Sequence, residues 1–161
     1  MNGVTERLAR HIERLRQQRY PTMLVADSGS SDLSADDARA VAEQCSLQYI
    51  DYRADVLRNP DCDIILGAYM RGQFLEWLIS RARRSGGLLV RRADEVIASW
   101  PDTDRKAFLQ EFLRTECNDP SDPTRRAPIV LLSRFVKQYA LPRKETGQGL
   151  IVDLTQDEGG S

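Results

Sequence analysis

Residues 23 to 52, MLVADSGSSDLSADDARAVAEQCSLQYIDY, decide the fold. The run TMLVA at 22–26 is short and almost wholly apolar, and it follows the helix-breaking pair Tyr20-Pro21, which suits a buried strand. Beyond a polar loop, Ser34 is placed to cap a helix, and Asp36 and Asp37 fall in its first turn, where the helix dipole favours acids. Ala38, Val41, Ala42 and Cys45 recur at the spacing of one buried helical face, and LQYID at 47–51 then reads as a second strand. Strand, loop, helix and strand in succession is the unit from which parallel sheets are built.

The alternation extends in both directions. Residues 4–18 place Val4, Leu8, Ile12 and Leu15 on one stripe with arginines between them, an amphipathic N-terminal helix with His11 beside the stripe in a packing or surface role. After the irregular RNPDCD, residues 68–84 carry Tyr69, Phe74, Leu75, Leu78 and Ile79 at mostly helical spacing, stopped by Gly86 or Gly87. LLVR begins a third strand at Leu88. DTDRKAFLQEFLRTEC predicts a helix over 102–117, capped by Asp102 or Thr103, with Phe108, Leu109, Phe112 and Leu113 inward. NDPSDPTRRAP is a turn-rich loop, PIVLLS at 128–133 is the strongest strand, and GLIVDL at 149–154 is the last. Five strands alternating with helices predict a three-layer α/β domain with a mainly parallel sheet over 21–154, preceded by the helix of 1–20 and followed by a disordered tail at 155–161.

The loop after the first strand is where a phosphate-binding GxxxxGK[ST] motif lies in nucleotide-binding domains, its glycines freeing backbone N–H groups and its lysine meeting the phosphate charge. Aligned on the strand, Ala26 takes the first glycine, Ser31 the second, Asp32 the lysine and Leu33 the magnesium-binding hydroxyl, while Gly29 remains. A carboxylate beside a polyphosphate costs on the order of 1 to 4 kcal/mol per charge pair at surface dielectric, where a lysine gains a similar amount. From Asp27 to Asp63 nine acids face three arginines. Phosphate binding by this loop is therefore not expected.

A second strand-end site tells the same story. In LLVRRADEVI, residues 88–97, an ATPase would place an aspartate for magnesium and a glutamate to orient water, and Arg91 and Arg92 stand there instead. Asp94 and Glu95 are the alternative acidic pair, three residues further on. Ser133, ending PIVLLS, occupies the place of a polar sensor residue or is simply a strand cap.

From about residue 20 to 154 the chain resembles a P-loop ATPase of the AAA+ type, in which strings such as LLIDEADEVL occur at the third strand. FLEWLISRARRSGGLLVRRADEVI at 74–97 and the closing GQGLIVDL are most similar to the small P-loop protein of BREX anti-phage loci. The resemblance implies a bacterial defence setting with larger DNA-handling protein components as partners. The missing lysine and acids depart from the family's ATP-binding pattern, so hydrolysis does not carry over. The expectation is a pseudo-ATPase scaffold or regulatory subunit without a cofactor or metal. The alternatives are a divergent NTPase that uses Asp94 or Glu95, or a lysine from a partner subunit, and a nucleic-acid binder.

Arginines are the other resource. Arg81, Arg83, Arg84, Arg91 and Arg92 crowd one stretch, and Arg125, Arg126, Arg134, Lys137, Arg143 and Lys144 continue the theme. Ligands of open α/β sheets bind at the carboxyl ends of the strands, and Arg91 and Arg134 follow strands. Arg84, Arg91, Arg92, Arg125, Arg126 and Arg134 are thus candidate contacts to an acidic protein face or to DNA, against the plain alternative of a solvated basic surface. Trp100 and Tyr139 are aromatics near the basic C-terminal segments, thin material for base stacking. The first 20 residues hold five arginines against Glu6 and Glu13, so this helix either packs on its own domain or docks on a neighbour in an oligomer or assembly.

Composition sets the outer bounds. With 161 residues, a net charge of −1, 29% charged and 41% hydrophobic residues, the chain has the balance of a globular domain. No apolar run approaches the roughly 20 residues of a membrane span, and the N-terminus has no signal-peptide core, so a cytoplasmic setting without membrane contact is expected. Cys45, Cys62 and Cys117 are odd in number and widely spaced, which predicts reduced thiols rather than disulfides or a zinc site.

Overall fold

The structure, a computed structural model, describes residues 3–27, 33–139, 141 and 147–154. Its centre is a five-stranded sheet of β1 (Thr22–Ala26), β2 (Gln48–Asp51), β3 (Leu88–Arg91), β4 (Ile129–Ser133) and β5 (Leu150–Asp153), in the order β2-β3-β4-β1-β5. Every pairing is parallel, with Ala26 level with Ser133 on one side and with Asp153 on the other, and Asp51 level with Arg91. The two most apolar runs, TMLVA and IVLLS, become neighbouring interior strands whose residues are all buried, as burial on both faces requires. β2 and β5 are the edges and leave their outer positions partly exposed.

Among the described residues six helices cover the sheet: α1 (Gly3–Leu15), α2 (Ala35–Gln44), α3 (Arg71–Ser85), α4 (Asp94–Ala98), α5 (Asp102–Phe112) and α6 (Phe135–Gln138). Alternate strand residues point to opposite faces, and the core divides accordingly. Met23, Val25, Leu89, Val130 and Leu132 pack with Leu8, Ile12 and Leu15 of α1 and Ala38, Val41 and Ala42 of α2. Leu24, Ile50, Leu88, Val90, Ile129 and Leu131 pack with α3, α5 and the two short helices. The second layer is aromatic: Phe74 lies 5.1 Å from Tyr52 and 5.4 Å from Phe108, ring centre to ring centre, and Trp100 lies 5.1 Å from Phe108. A three-layer α/β domain follows, with α1 packed on its own sheet.

The ends of elements differ from expectation for local reasons. Ser34 caps α2 as expected, its Oγ accepting from Asp37 N at 3.1 Å. α1 stops at Leu15, because Arg16 leaves the helix to become buried. α3 begins at Arg71 rather than residue 68, with Gln73 Oε1 accepting from Met70 N, and ends on Gly86 at φ 82°. α5 is preceded by Pro101 as its cap, not Asp102 or Thr103, and ends at Phe112 instead of running to 117. A π-helical turn, Arg53–Leu57, fills part of the connection from β2 to α3. Gly29, Ser31 and Asp32 of the degenerate phosphate loop, Arg143, Lys144 and the tail at 155–161 lie outside the described residues.

Candidate functional site

Because all the strands are parallel, their carboxyl ends share one edge of the sheet. The chain leaves β1 toward α2 on one face, whereas it leaves the adjacent β4 toward α6 on the other. Adjacent strands whose exits diverge open a crevice between their ends, and that crevice is where open α/β sheets bind ligands. Asp27 emerges from β1 there and its N–H donates to Ser133 O at 3.2 Å, so the two strand ends remain zipped to the crevice's base.

Asp94 reaches the same place from β3. Arg92 stands at φ 61°, a left-handed conformation that non-glycine residues seldom adopt, and it turns the chain sharply out of the strand into α4. Ser133 Oγ donates to Asp94 Oδ1 at 2.6 Å and accepts from Phe135 N at 3.1 Å, while Arg134 N donates to Asp94 Oδ2 at 3.3 Å. Burial pushes the Asp94 carboxyl above the usual aspartate range, and the charge of Asp27 pushes the same way, while the bonds from Ser133 and Arg134 pull against them. The crevice thus presents one fixed, desolvated carboxyl with a second beside it.

Several charges of the rest of this edge are paired with one another. Arg92 Nη1 donates to Asp51 Oδ2 at 2.8 Å, joining the ends of β3 and β2. Arg53 Nε lies 2.8 Å from Glu95 Oε1, so Asp94 and Glu95 part company and only the aspartate meets Ser133. Lys137 Nζ stands 3.6 Å from the buried Asp153 Oδ2 at the end of β5. Arg91 is half-buried and its Nε has no hydrogen-bond partner among the described residues. Arg134 is exposed, its guanidinium 5.1 Å from the Phe135 ring centre.

The two halves of the degenerate phosphate loop that are described both belong to the core. Ala26 is buried against the aromatic layer, and Leu33, at the position of the magnesium-binding hydroxyl, is buried in the layer of α1 and α2. Among the described residues no group of three histidine, cysteine or acidic side chains converges to hold a metal ion.

The arginines separate into two sets. Arg91, Arg92 and Arg134 lie at the carboxyl edge, whereas Arg84, Arg125 and Arg126 precede β3 and β4 and therefore lie at the amino edge. The six candidate contacts do not form one basic surface. Arg126 is half-buried, its N–H donating to Arg16 O at 3.1 Å and its guanidinium to Asn118 Oδ1. Trp100 is buried and donates Nε1–H to Tyr69 O at 2.7 Å, and Tyr139 stacks on Phe135 with its hydroxyl on Asp102 Oδ1, so neither is free to stack on a base. Asp27, Asp51 and Arg53 escaped the sequence reading as site residues, although the first two directly end or follow strands. No helix among the described residues is long and apolar enough to cross a membrane. No family model matches the chain, and neither a curated protein nor a solved structure matches it.

Proposed function

We propose that the chain is a non-catalytic, pseudo-ATPase-like subunit that scaffolds or regulates a larger DNA-handling assembly, of the kind found in bacterial anti-phage defence. The observation that carries this reading is the Asp94 carboxyl fixed by Ser133 in the β1–β4 crevice, with Asp27 alongside. A polyphosphate entering there meets two acids, and each such pair costs on the order of 1 to 4 kcal/mol at surface dielectric. Two of the cations at this edge are committed elsewhere, Arg92 to Asp51 and Arg53 to Glu95. Partners in such an assembly would meet the exposed arginines of α1 and Arg134, and protein or DNA would answer to the same charge.

A second reading is favoured by the same contact. An acidic side chain in the turn beyond β3, held by a hydroxyl at the end of β4, is also what a divergent NTPase would need to hold a magnesium-bound phosphate, with the missing lysine supplied by a partner subunit. Calorimetric titration with ATP and magnesium separates the two. The scaffold reading expects no binding in the crevice at millimolar nucleotide, and binding that Asp94→Ala abolishes would overturn it in favour of the enzyme.

A further inference from the structure

The amino edge of the sheet, opposite the crevice, carries a cleft of about 940 Å3 whose walls include Arg16, Arg83, Arg84 and Arg125. These side chains come from three separate parts of the chain: the end of α1, the last turn of α3 and the loop before β4. Arg16 holds the three together. It is 5% exposed, its Nη2 donates to Cys45 O at 2.8 Å and its Nη1 to Gly86 O at 3.1 Å, and its carbonyl accepts from Arg126 N. Burial and the neighbouring Arg125 charge disfavour the protonated Arg16 while Glu13 and Asp119 favour it, so the fold holds two like charges close together at this cleft.

Arg83, Arg84 and Arg125 are exposed and form no ion pair among the described residues. Two carboxylates share the walls, Glu76 and Asp119. Asp119 is already engaged, its Oδ1 accepting from Ser121 N at 3.0 Å and Ser121 Oγ at 2.7 Å. The carboxyl end of α3 adds roughly half a negative charge, which accounts for an arginine or two in its last turn. It does not account for Arg125, which comes from another element, or for a buried Arg16. Four cations against two carboxylates and a helix terminus leave the cleft positive.

We propose that this cleft binds a compact ligand through two or more phosphate groups. Guanidinium forks match phosphate oxygens in pairs. Their convergence from three elements suits a compact polyanion better than a long stripe would, and no aromatic side chain lines the walls to hold a base. The phosphates come either from a free oligophosphate or from a nucleic-acid backbone. The inference does not depend on what the carboxyl-edge crevice does.

The test is titration of the full chain with inorganic tripolyphosphate and, separately, with a single-stranded oligonucleotide. One tripolyphosphate per chain is expected, weakened about tenfold or more when Arg84→Ala and Arg125→Ala are combined, as loss of two charge-assisted contacts implies. Arg84→Lys with Arg125→Lys, which keeps charge but loses the fork, should fall between, and Arg134→Ala at the opposite edge should change nothing. Circular dichroism and melting of each variant establish that it is folded. Oligonucleotide binding that tripolyphosphate displaces assigns the phosphates to a nucleic-acid backbone, and indifference to oligonucleotide assigns them to a free oligophosphate. No tripolyphosphate binding at millimolar concentration, or an equal loss in Arg134→Ala, overturns the proposal. ATP binding lost with Arg84 and Arg125 but kept in Asp94→Ala belongs to this cleft, and the converse pattern belongs to the crevice.

Discussion

Asp94 is the crevice residue whose chemistry folding alters. Its carboxyl is raised by burial, so the folded chain binds this proton more tightly than the unfolded chain does. The associated stability is fully present below the unfolded value and is lost as pH rises through the folded one. At neutral pH the ionised Asp94 therefore weakens the fold. Asp94→Asn keeps an oxygen for Ser133 Oγ, gives up the long 3.3 Å bond from Arg134 N and cannot ionise. It should melt higher than the wild type at neutral pH, with the gap closing near about pH 3, where both states of the wild type are protonated. A variant that is less stable at every pH would refute this account. Backbone strain offers a second prediction. Ser46 stands at φ 58° just beyond α2, where glycine fits without steric cost, so Ser46→Gly should add about 0.5 to 1 kcal/mol in denaturant titration. Arg92 has the same conformation at φ 61°, yet Arg92→Gly should bring no such gain, since Asp51, its side chain 14% exposed, loses its partner.

At the scale of elements, the sheet is closed by two glycines. A methyl group on Gly149 would run into Thr22 at the start of β1, and one on Gly87 would meet Leu47 and lie 3.1 Å from Pro128. Gly149→Ala and Gly87→Ala should each cost about 1 to 3 kcal/mol as overpacking, visible as a lower urea midpoint. Gly72→Ala in the first turn of α3, where nothing lies within 4 Å, is the control and should not destabilise. Neutral behaviour at Gly149 would mean that β5 is not held as closely to β1 as described. The strands were legible because TMLVA, LLVR and IVLLS are apolar runs between turn residues, and α2 because its cap and face are both written in residue types. α4 and α6, at five and four residues, are too short to show a helical period. The turn that starts α4 depends on a left-handed arginine, which residue type does not announce.

Across the whole molecule, the parallel sheet sorts the arginines by whether they precede or follow a strand. Arg84 and Arg91 are close in sequence, yet the strand between them carries them to opposite edges, roughly 13 Å apart for four residues at strand rise. Clustering in sequence therefore does not place these arginines on one surface. The crevice was half legible: the loss of the lysine and acids is visible in residue types, but the choice of Asp94 over Glu95 comes from the turn at Arg92 and the position of Ser133. The unequal chemistry of the two layers has a consequence for watching this protein unfold. Trp77 and Trp100 both belong to the aromatic layer, so tryptophan fluorescence sees only that side of the sheet. Cys45 lies in the other layer, its thiol pushed up to about 12 by burial and by the charge of Glu13, and it is inert to alkylation until that layer opens. Since one sheet supports both layers, thiol labelling at Cys45 and the loss of tryptophan signal should report the same free energy of opening. Labelling that runs ahead of the fluorescence change would instead make α1 and α2 a separately opening unit, silent to every optical experiment that relies on tryptophan.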